Sequence, residues 1–212
     1  MSFSELVENY AEEPLTRQII LSLLKDYKRP NDKIGELVKE GLLTTIKKGL
    51  YVPGPKSKTK KPEAFLIANH LWGPSYVSLE TALSYHGLIP ERVYEISSVT
   101  VKASKTVNTK VGRFTYRQAS LPYYFFGLES IKLTPRQVVL MASPEKALCD
   151  KIVMTSGVHL RSIVQVRSFL MDDLRIDIDR LRALDIDGID SWIEAAPKAS
   201  SLKMLTKTLS EL

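Results

Sequence analysis

The chain has 212 residues, 44% apolar and 25% charged, a globular composition with room for one large domain or two small ones. No stretch approaches the ~20 consecutive apolar residues of a membrane span. Residues 1–10 carry Glu5 and Glu8 where a secretory leader would be basic and then apolar, so a cytoplasmic location is expected.

A single cysteine, Cys149, leaves no disulfide framework or thiolate cluster within one chain. His70, His86 and His159 are too scattered for a zinc motif, so no metal or other cofactor is expected.

Three short helices are predicted ahead of Gly41. The first covers about 3–10. The second starts at Pro14, where a missing amide hydrogen costs nothing in a first turn, and repeats Leu15, Ile19, Ile20, Leu23, Leu24 and Tyr27 as one buried stripe. The third runs over about 30–40, with Ile34, Leu37 and Val38 inward and Gly41 as its stop. Thr44 to Ile46, the turn Lys47-Lys48-Gly49 and the return Leu50-Tyr51-Val52 then read as the β wing of a winged helix, closing a first domain at 1–54. Residues 55–62 have no apolar side chain to bury and read as a basic linker.

From Gly41 to Pro62 there are six lysines and no carboxylate, an imbalance equal to the formal charge of the whole chain, +6. Concentrated positive charge beside a wing points first to nucleic acid. Lys47, Lys48, Lys56, Lys58, Lys60 and Lys61 are therefore candidate contacts to a phosphate backbone, which hold a duplex without choosing a sequence. A solvated linker that only keeps the protein soluble is the competing account. The outward face of the third helix, counted at about 100° per residue, carries Asp32, Lys33, Glu36, Lys39 and Glu40. Three acids against two lysines suit phosphates poorly, so Arg29, Asn31 and Lys33 at its N-terminal end are the candidates for reading base edges.

Pro62 opens a helix to about 72, and Ser78 is the N-cap of a helix over 79–86 stopped by Gly87. The period then changes. Segments 96–103, 111–118, 123–133 and 138–142 are rich in β-branched and aromatic residues, which predicts an antiparallel sheet. Arg113, Thr115 and Arg117 should share one face of it, with Phe114 and Tyr116 on the other. The run Tyr123-Tyr124-Phe125-Phe126 reads as strand core. Between Ile96 and Leu128 there is no acid, while Lys102, Lys105, Lys110, Arg113 and Arg117 accumulate. They form a second candidate surface for an anionic partner, either nucleic acid or an acidic protein patch, with a solvated sheet face as the alternative.

Ser143-Pro144-Glu145 restarts a helix, and after Gly157 the chain reads as wholly helical and rich in aspartate. The fold class is thus α+β: an N-terminal winged helix-turn-helix, then a mixed α/β domain over 63–212, with an antiparallel sheet to about 157 and a helical tail over 158–212. No Gly-rich phosphate loop, nucleophile elbow or carboxylate pair stands out, so the chain is not expected to be an enzyme and no catalytic residue is assigned.

Three strings now acquire weight together: Lys48-Gly-Leu-Tyr-Val-Pro53, Gly73-Pro-Ser-Tyr-Val-Ser-Leu-Glu-Thr-Ala-Leu-Ser-Tyr-His-Gly-Leu-Ile-Pro90 and Ser143-Pro-Glu-Lys-Ala-Leu-Cys-Asp150. In this order and spacing the chain resembles the AbiEi family of antitoxins, partners of nucleotidyltransferase-like toxins in bacterial abortive-infection systems of phage defence. The likeness covers about 37–153, and the helical tail more loosely. It implies a winged helix that binds the operon's own promoter as a repressor, and a larger domain tied to toxin neutralisation. That neutralisation proceeds without stable binding in the type IV toxin–antitoxin description and by direct contact in some related systems. The partners so implied are promoter DNA and the cognate toxin, with no membrane partner. A homodimer is expected on DNA, because paired half-sites reward two-fold symmetry.

Against a usual winged helix, only about 27–30 separates the long second helix from the third, so an element is expected to be shortened or displaced. The Pro-Glu-Lys-Ala-Leu-Cys-Asp string reads as a helix start with Glu145, Lys146 and Asp150 at exposed or interfacial positions. A function of another class stays open: a protein-binding module that occludes the toxin directly, with a degenerate winged helix that no longer reads DNA.

Overall fold

The computed structural model describes residues 3–212, so Met1 and Ser2 of the segment read above as non-secretory lie outside the described residues. The chain is α+β. Its first part comprises α1 (Phe3–Glu8), β1 (Leu15–Thr16), α2 (Arg17–Leu23), α3 (Pro30–Lys39) and a hairpin of β2 (Leu43–Lys47) and β3 (Leu50–Pro53). The helix predicted from Pro14 gives up its first turn to a strand. Leu15 and Thr16 pair antiparallel with Tyr51 and Leu50, and the Thr16 hydroxyl accepts from the Ile19 amide to cap α2. The shortening expected before the third helix is therefore a strand and a short helix in place of one long helix. Pro30 opens α3, and Gly41, at φ +78, ends it in the left-handed region. The small sheet has the order β1-β3-β2.

Both faces of the hairpin are covered. Leu43 joins Leu15, Ile20, Leu24, Ile34 and Leu37 in a small core, against which Tyr51 packs. Ile46, Leu50 and Val52 belong instead to the main core of the rest of the chain.

The segment 55–62 keeps its lysines exposed, as its composition predicts, yet it is tied to the rest of the chain. Thr59 is 4% exposed and Pro62 is buried. The Gly54 and Lys56 amides donate to the Leu42 and Gly41 carbonyls at 2.8 and 2.9 Å, and the Lys60 carbonyl accepts from the Glu12 amide at 2.8 Å. Backbone hydrogen bonds hold the segment, and composition gives no sign of them.

The larger part runs α4 (Ala64–Leu71), β4 (Ser75–Val77), α5 (Leu79–Tyr85), β5 (Ile96–Thr100), β6 (Lys105–Thr109), β7 (Gly112–Gln118), a 3-10 turn (Tyr123–Phe125), β8 (Leu128–Lys132), β9 (Val138–Ala142) and α6 (Pro144–Met154). The six strands have the order β6-β7-β5-β4-β9-β8. The sheet is mixed and not antiparallel as predicted, since β5 with β7 and β4 with β9 are parallel pairs. The cause is two strands the pattern did not reveal. Three-residue β4 is too short to show a period, and β6 is an edge strand with Lys105, Thr106 and Asn108 exposed and no apolar alternation. Inserting β6 adds a reversal, so β7 returns parallel to β5.

Strand alternation places Tyr116 toward α4, where its hydroxyl donates to the Ala68 carbonyl at 2.8 Å, and Tyr76 toward α6, where its hydroxyl donates to Asp150. The aromatic run packs in the core as predicted, with Tyr123 and Tyr124 buried and Phe126 stacked on Trp192, but it forms a 3-10 turn and not a strand, and Phe125 is exposed.

Beyond Gly157 the chain is helical, as predicted, with α7 (Ile163–Arg167) running into a π-helical turn (Ser168–Asp173), then α8 (Ile178–Arg182), α9 (Ile186–Trp192), a 3-10 turn (Ile193–Ala195) and α10 (Ala199–Leu209). Ser162, Asp177 and Asp185 cap α7, α8 and α9 with their side chains. Leu202, Leu205 and Leu209 close the main core with Val166, Leu170 and Ile189. The Lys198 ammonium donates to the Ile152, Thr155 and Val158 carbonyls at 2.9, 2.7 and 2.8 Å, holding the C-terminal end of α6. Among the described residues no helix is long and apolar enough to cross a membrane.

Candidate nucleic-acid interface

The hairpin turn at Lys47-Lys48-Gly49 is tied to neighbours on two sides. On one, the Arg17 amide donates to the Gly49 carbonyl at 2.9 Å while the Arg17 guanidinium donates to Asn31 Oδ1 at 2.7 Å. The N-terminal ends of α2 and α3 are thereby joined to the turn. On the other, the Lys47 ammonium donates to the Leu71 carbonyl at the end of α4, where helix carbonyls favour a cation. The next residue, Trp72, lies under two further ammonium groups, Lys105 at 4.1 Å and Lys102 at 5.2 Å from its ring centroid. Its indole N–H donates to the Ala103 carbonyl, and Lys102 also donates to the Gly73 carbonyl. Two basic sets far apart in sequence thus meet at adjacent residues, Leu71 and Trp72.

The electrostatics follow from that crowding. Burial, and then the charges of Lys102 and Lys105, hold the Lys47 ammonium below its ordinary value of 10.5. Burial, and then Lys47, hold the His70 ring below its ordinary 6.5. Among the described residues no carboxylate pairs with Lys47, Lys102 or Lys105. Ammonium groups gathered on a tryptophan face without counter-charges make a local positive potential suited to a polyanion. Neither a family model nor a curated sequence matches the chain.

The remaining candidates divide. Lys48, Lys56, Lys58 and Lys61 are exposed and carry no carboxylate partner among the described residues, whereas Lys60 is paired with Glu12. The trio at the start of α3 is largely occupied. Lys33 lies 2.9 Å from Glu36 and 4.0 Å from Glu40, and the Glu36 hydrogen bond pushes its ammonium above the ordinary range. Asn31 accepts from Arg17, which leaves Arg29, 85% exposed and 3.9 Å from Asp32, as the extended side chain of the three. On the second surface Phe114 and Tyr116 face inward and Arg113 and Arg117 outward, as the alternation predicts. Arg113 is neutralised by Glu95 at 2.7 Å, Arg117 is exposed without a carboxylate partner among the described residues, and Lys110 is exposed in the turn between β6 and β7.

Sequence reasoning missed Arg17, His70 and Trp72. The first sits inside what read as a core helix. The other two lie at the end of the helix predicted to run to about 72, and no local pattern could bring residues 102 and 105 to them.

The Pro-Glu-Lys-Ala-Leu-Cys-Asp string has a different part to play. Its Ser143 cap is as predicted, with the hydroxyl accepting from the Lys146 amide. Lys146 and Asp150, predicted at exposed or interfacial positions, are instead 0% exposed and 3.1 Å apart, because i and i+4 on α6 both face the sheet. The Lys146 ammonium also donates to the Tyr123 carbonyl at 2.9 Å, and Asp150 Oδ2 accepts from Ser78 Oγ at 2.7 Å and from the Tyr76 hydroxyl at 3.0 Å. Ser78 therefore spends its hydroxyl on Asp150 and makes no side-chain cap on α5. Burial pushes the Lys146 ammonium down while Asp150 pulls it up. Half-buried Glu145 accepts from Ser143 Oγ and from the Asp185 amide. Burial raises the Cys149 thiol to about 12, which leaves no reactive thiolate. This network is sealed from solvent and acts as a structural anchor. Among the described residues no group of His, Cys, Asp or Glu is arranged to hold a metal ion.

Proposed function

We propose that the chain is a cytoplasmic antitoxin of the AbiEi type that represses its own promoter and counteracts a nucleotidyltransferase-like toxin. The order helix, strand, helix, helix, hairpin, with the sheet order β1-β3-β2, supports a winged-helix reading of residues 3–54 in which α2 and α3 form the helix-turn-helix. The observation that carries the proposal is that Lys102 and Lys105 lie on Trp72 next to Lys47, which is bound to the adjacent Leu71 carbonyl beside the hairpin turn. It widens the basic surface from one hairpin to both parts of the chain. Lys48, Lys102 and Lys105 contact phosphates, and Arg29 reaches toward base edges from the start of α3. Neutralising phosphates releases counterions, so affinity falls with salt. The test is a fluorescence-anisotropy titration of the promoter fragment at several salt concentrations. Replacing Lys48, Lys102 and Lys105 with alanine is expected to flatten log Kd against log salt by roughly 0.9 for each phosphate that is no longer neutralised. An unchanged slope would refute the assignment.

One observation favours a second reading. Asp32, Glu36 and Glu40 occupy the outward side of α3, with Lys33 drawn onto two of them, a face better suited to a protein than to a duplex. In that reading the chain occludes the toxin by direct contact. Co-purification of the toxin, lost on charge reversal at Glu36 and Glu40 while promoter binding persists, would establish it.

A further inference from the structure

A cleft of about 520 Å³ lies against the sheet face that carries Ser97 and Thr115, between the first turn of α5 and the last turn of α6. We infer that this cleft binds a phosphorylated small molecule of nucleotide size. The inference needs only the cleft and does not depend on the promoter-binding reading.

The charges at the cleft are unevenly spent. Both of its carboxylates are already taken, Glu80 by Lys151 and Glu95 by Arg113 and the Thr115 hydroxyl. Arg92 and Arg117 line the same space and have no carboxylate partner among the described residues, the Arg92 guanidinium lying 5.7 Å from the Tyr94 ring centroid. Two planar forks without counter-charges match the paired oxygens of a phosphoryl group. The rest of the wall includes Leu79, Val93 and Met154, apolar surface against which a planar ring can lie. A volume of this size, with apolar side chains and a few convergent polar groups in its wall, is that of a small-molecule site.

Backbone strain marks the same wall. Leu79 is 6% exposed and adopts φ +55, a region that side-chain-bearing residues seldom enter. It is held there because Ser78 donates its amide to the Ser97 carbonyl and its hydroxyl to buried Asp150. Strained residues fixed by a rigid surround gather at ligand sites. The Lys146–Asp150 network thus supports a wall of the cleft as well as the core.

The experiment is isothermal titration of the full chain with adenosine triphosphate, adenosine monophosphate and inorganic phosphate. Adenosine triphosphate should saturate below ~1 mM and bind roughly tenfold or more tightly than inorganic phosphate. The double substitution of Arg92→Ala with Arg117→Ala should weaken it by roughly tenfold or more, with an unchanged circular dichroism spectrum, while Arg136→Ala, an exposed arginine elsewhere, leaves it unaltered. The idea is overturned if adenosine triphosphate gives no saturable heat, if it binds no more tightly than phosphate alone, or if the double variant binds like the wild type. Displacement by a short single-stranded oligonucleotide of higher affinity also overturns it, since the cleft would then belong to a polynucleotide track. The single variant Arg92→Ala separates this inference from promoter binding. Loss of nucleotide affinity with promoter affinity intact supports a separate site, and loss of both overturns it.

Discussion

The Glu12 carboxylate and the Lys60 ammonium form an ion pair that joins the loop after α1 to the segment leaving the hairpin. The same carboxylate accepts from the Thr134 hydroxyl and the Gln137 side-chain amide, between β8 and β9, and Gln137 Oε1 in turn accepts from the Glu63 amide at 2.7 Å. Three distant stretches of chain are fastened at one acid. The Lys60 and Thr134 hydrogen bonds hold the Glu12 carboxyl down from 4.5 to about 2. A carboxyl depressed on folding contributes stability that is present above its unfolded value and lost as pH falls through the folded one. Thermal stability should therefore decline between pH 4.5 and about 2. Glu12→Gln should flatten that decline, and a variant with the wild-type slope would assign the acid sensitivity to other carboxylates.

Asp150→Ala should be strongly destabilising. It strands a fully buried ammonium and two hydroxyl donors, a loss of about 3–5 kcal/mol in urea unfolding. Replacing Lys146 and Asp150 together by Met and Leu removes both charges and should cost clearly less. Equal losses in the two variants would mean that the ion pair itself, and not an orphaned charge, sets the penalty.

Gly127 turns at φ +60, and a Cβ there would stand 2.6 Å from Lys146 Cβ and 3.0 Å from the Trp192 ring. Overpacking and a left-handed backbone both oppose a side chain, so Gly127→Ala should lower stability by about 2–4 kcal/mol. A melting temperature like the wild type's would show that the loop before β8 can move away from α6.

Trp72 reports on the basic cluster. Bound polyanion should draw Lys102 and Lys105 from the indole face and change its fluorescence, while Trp192, 7% exposed, supplies a constant background. Trp72→Phe should abolish the change. A signal that persists in this variant would place the polyanion elsewhere.

The sequence was most legible where side-chain period alone decides structure. Ile34, Leu37 and Val38 marked α3, Val138 to Ala142 marked β9 to the residue, and the Ser143-Pro144-Glu145 start of α6 rested on local capping chemistry. It was least legible where partners are remote. Nothing near Lys146 or Asp150 announces Tyr76, Ser78 and Tyr123, whose polar atoms make burial of the pair tolerable. The basic candidates show the same division. Their positive charge could be counted in the sequence, but only the fold decides that Lys60 is spent on Glu12 and Lys33 on Glu36, while Lys102 and Lys105 are brought beside Lys47.

A β2–β3 hairpin whose alternate side chains enter different cores cannot work as a hinge. Cutting the chain after it would strip Ile46, Leu50 and Val52 of their cover, so a fragment of the leading helices and hairpin should be less soluble than the full chain. The two parts should therefore melt in a single cooperative transition.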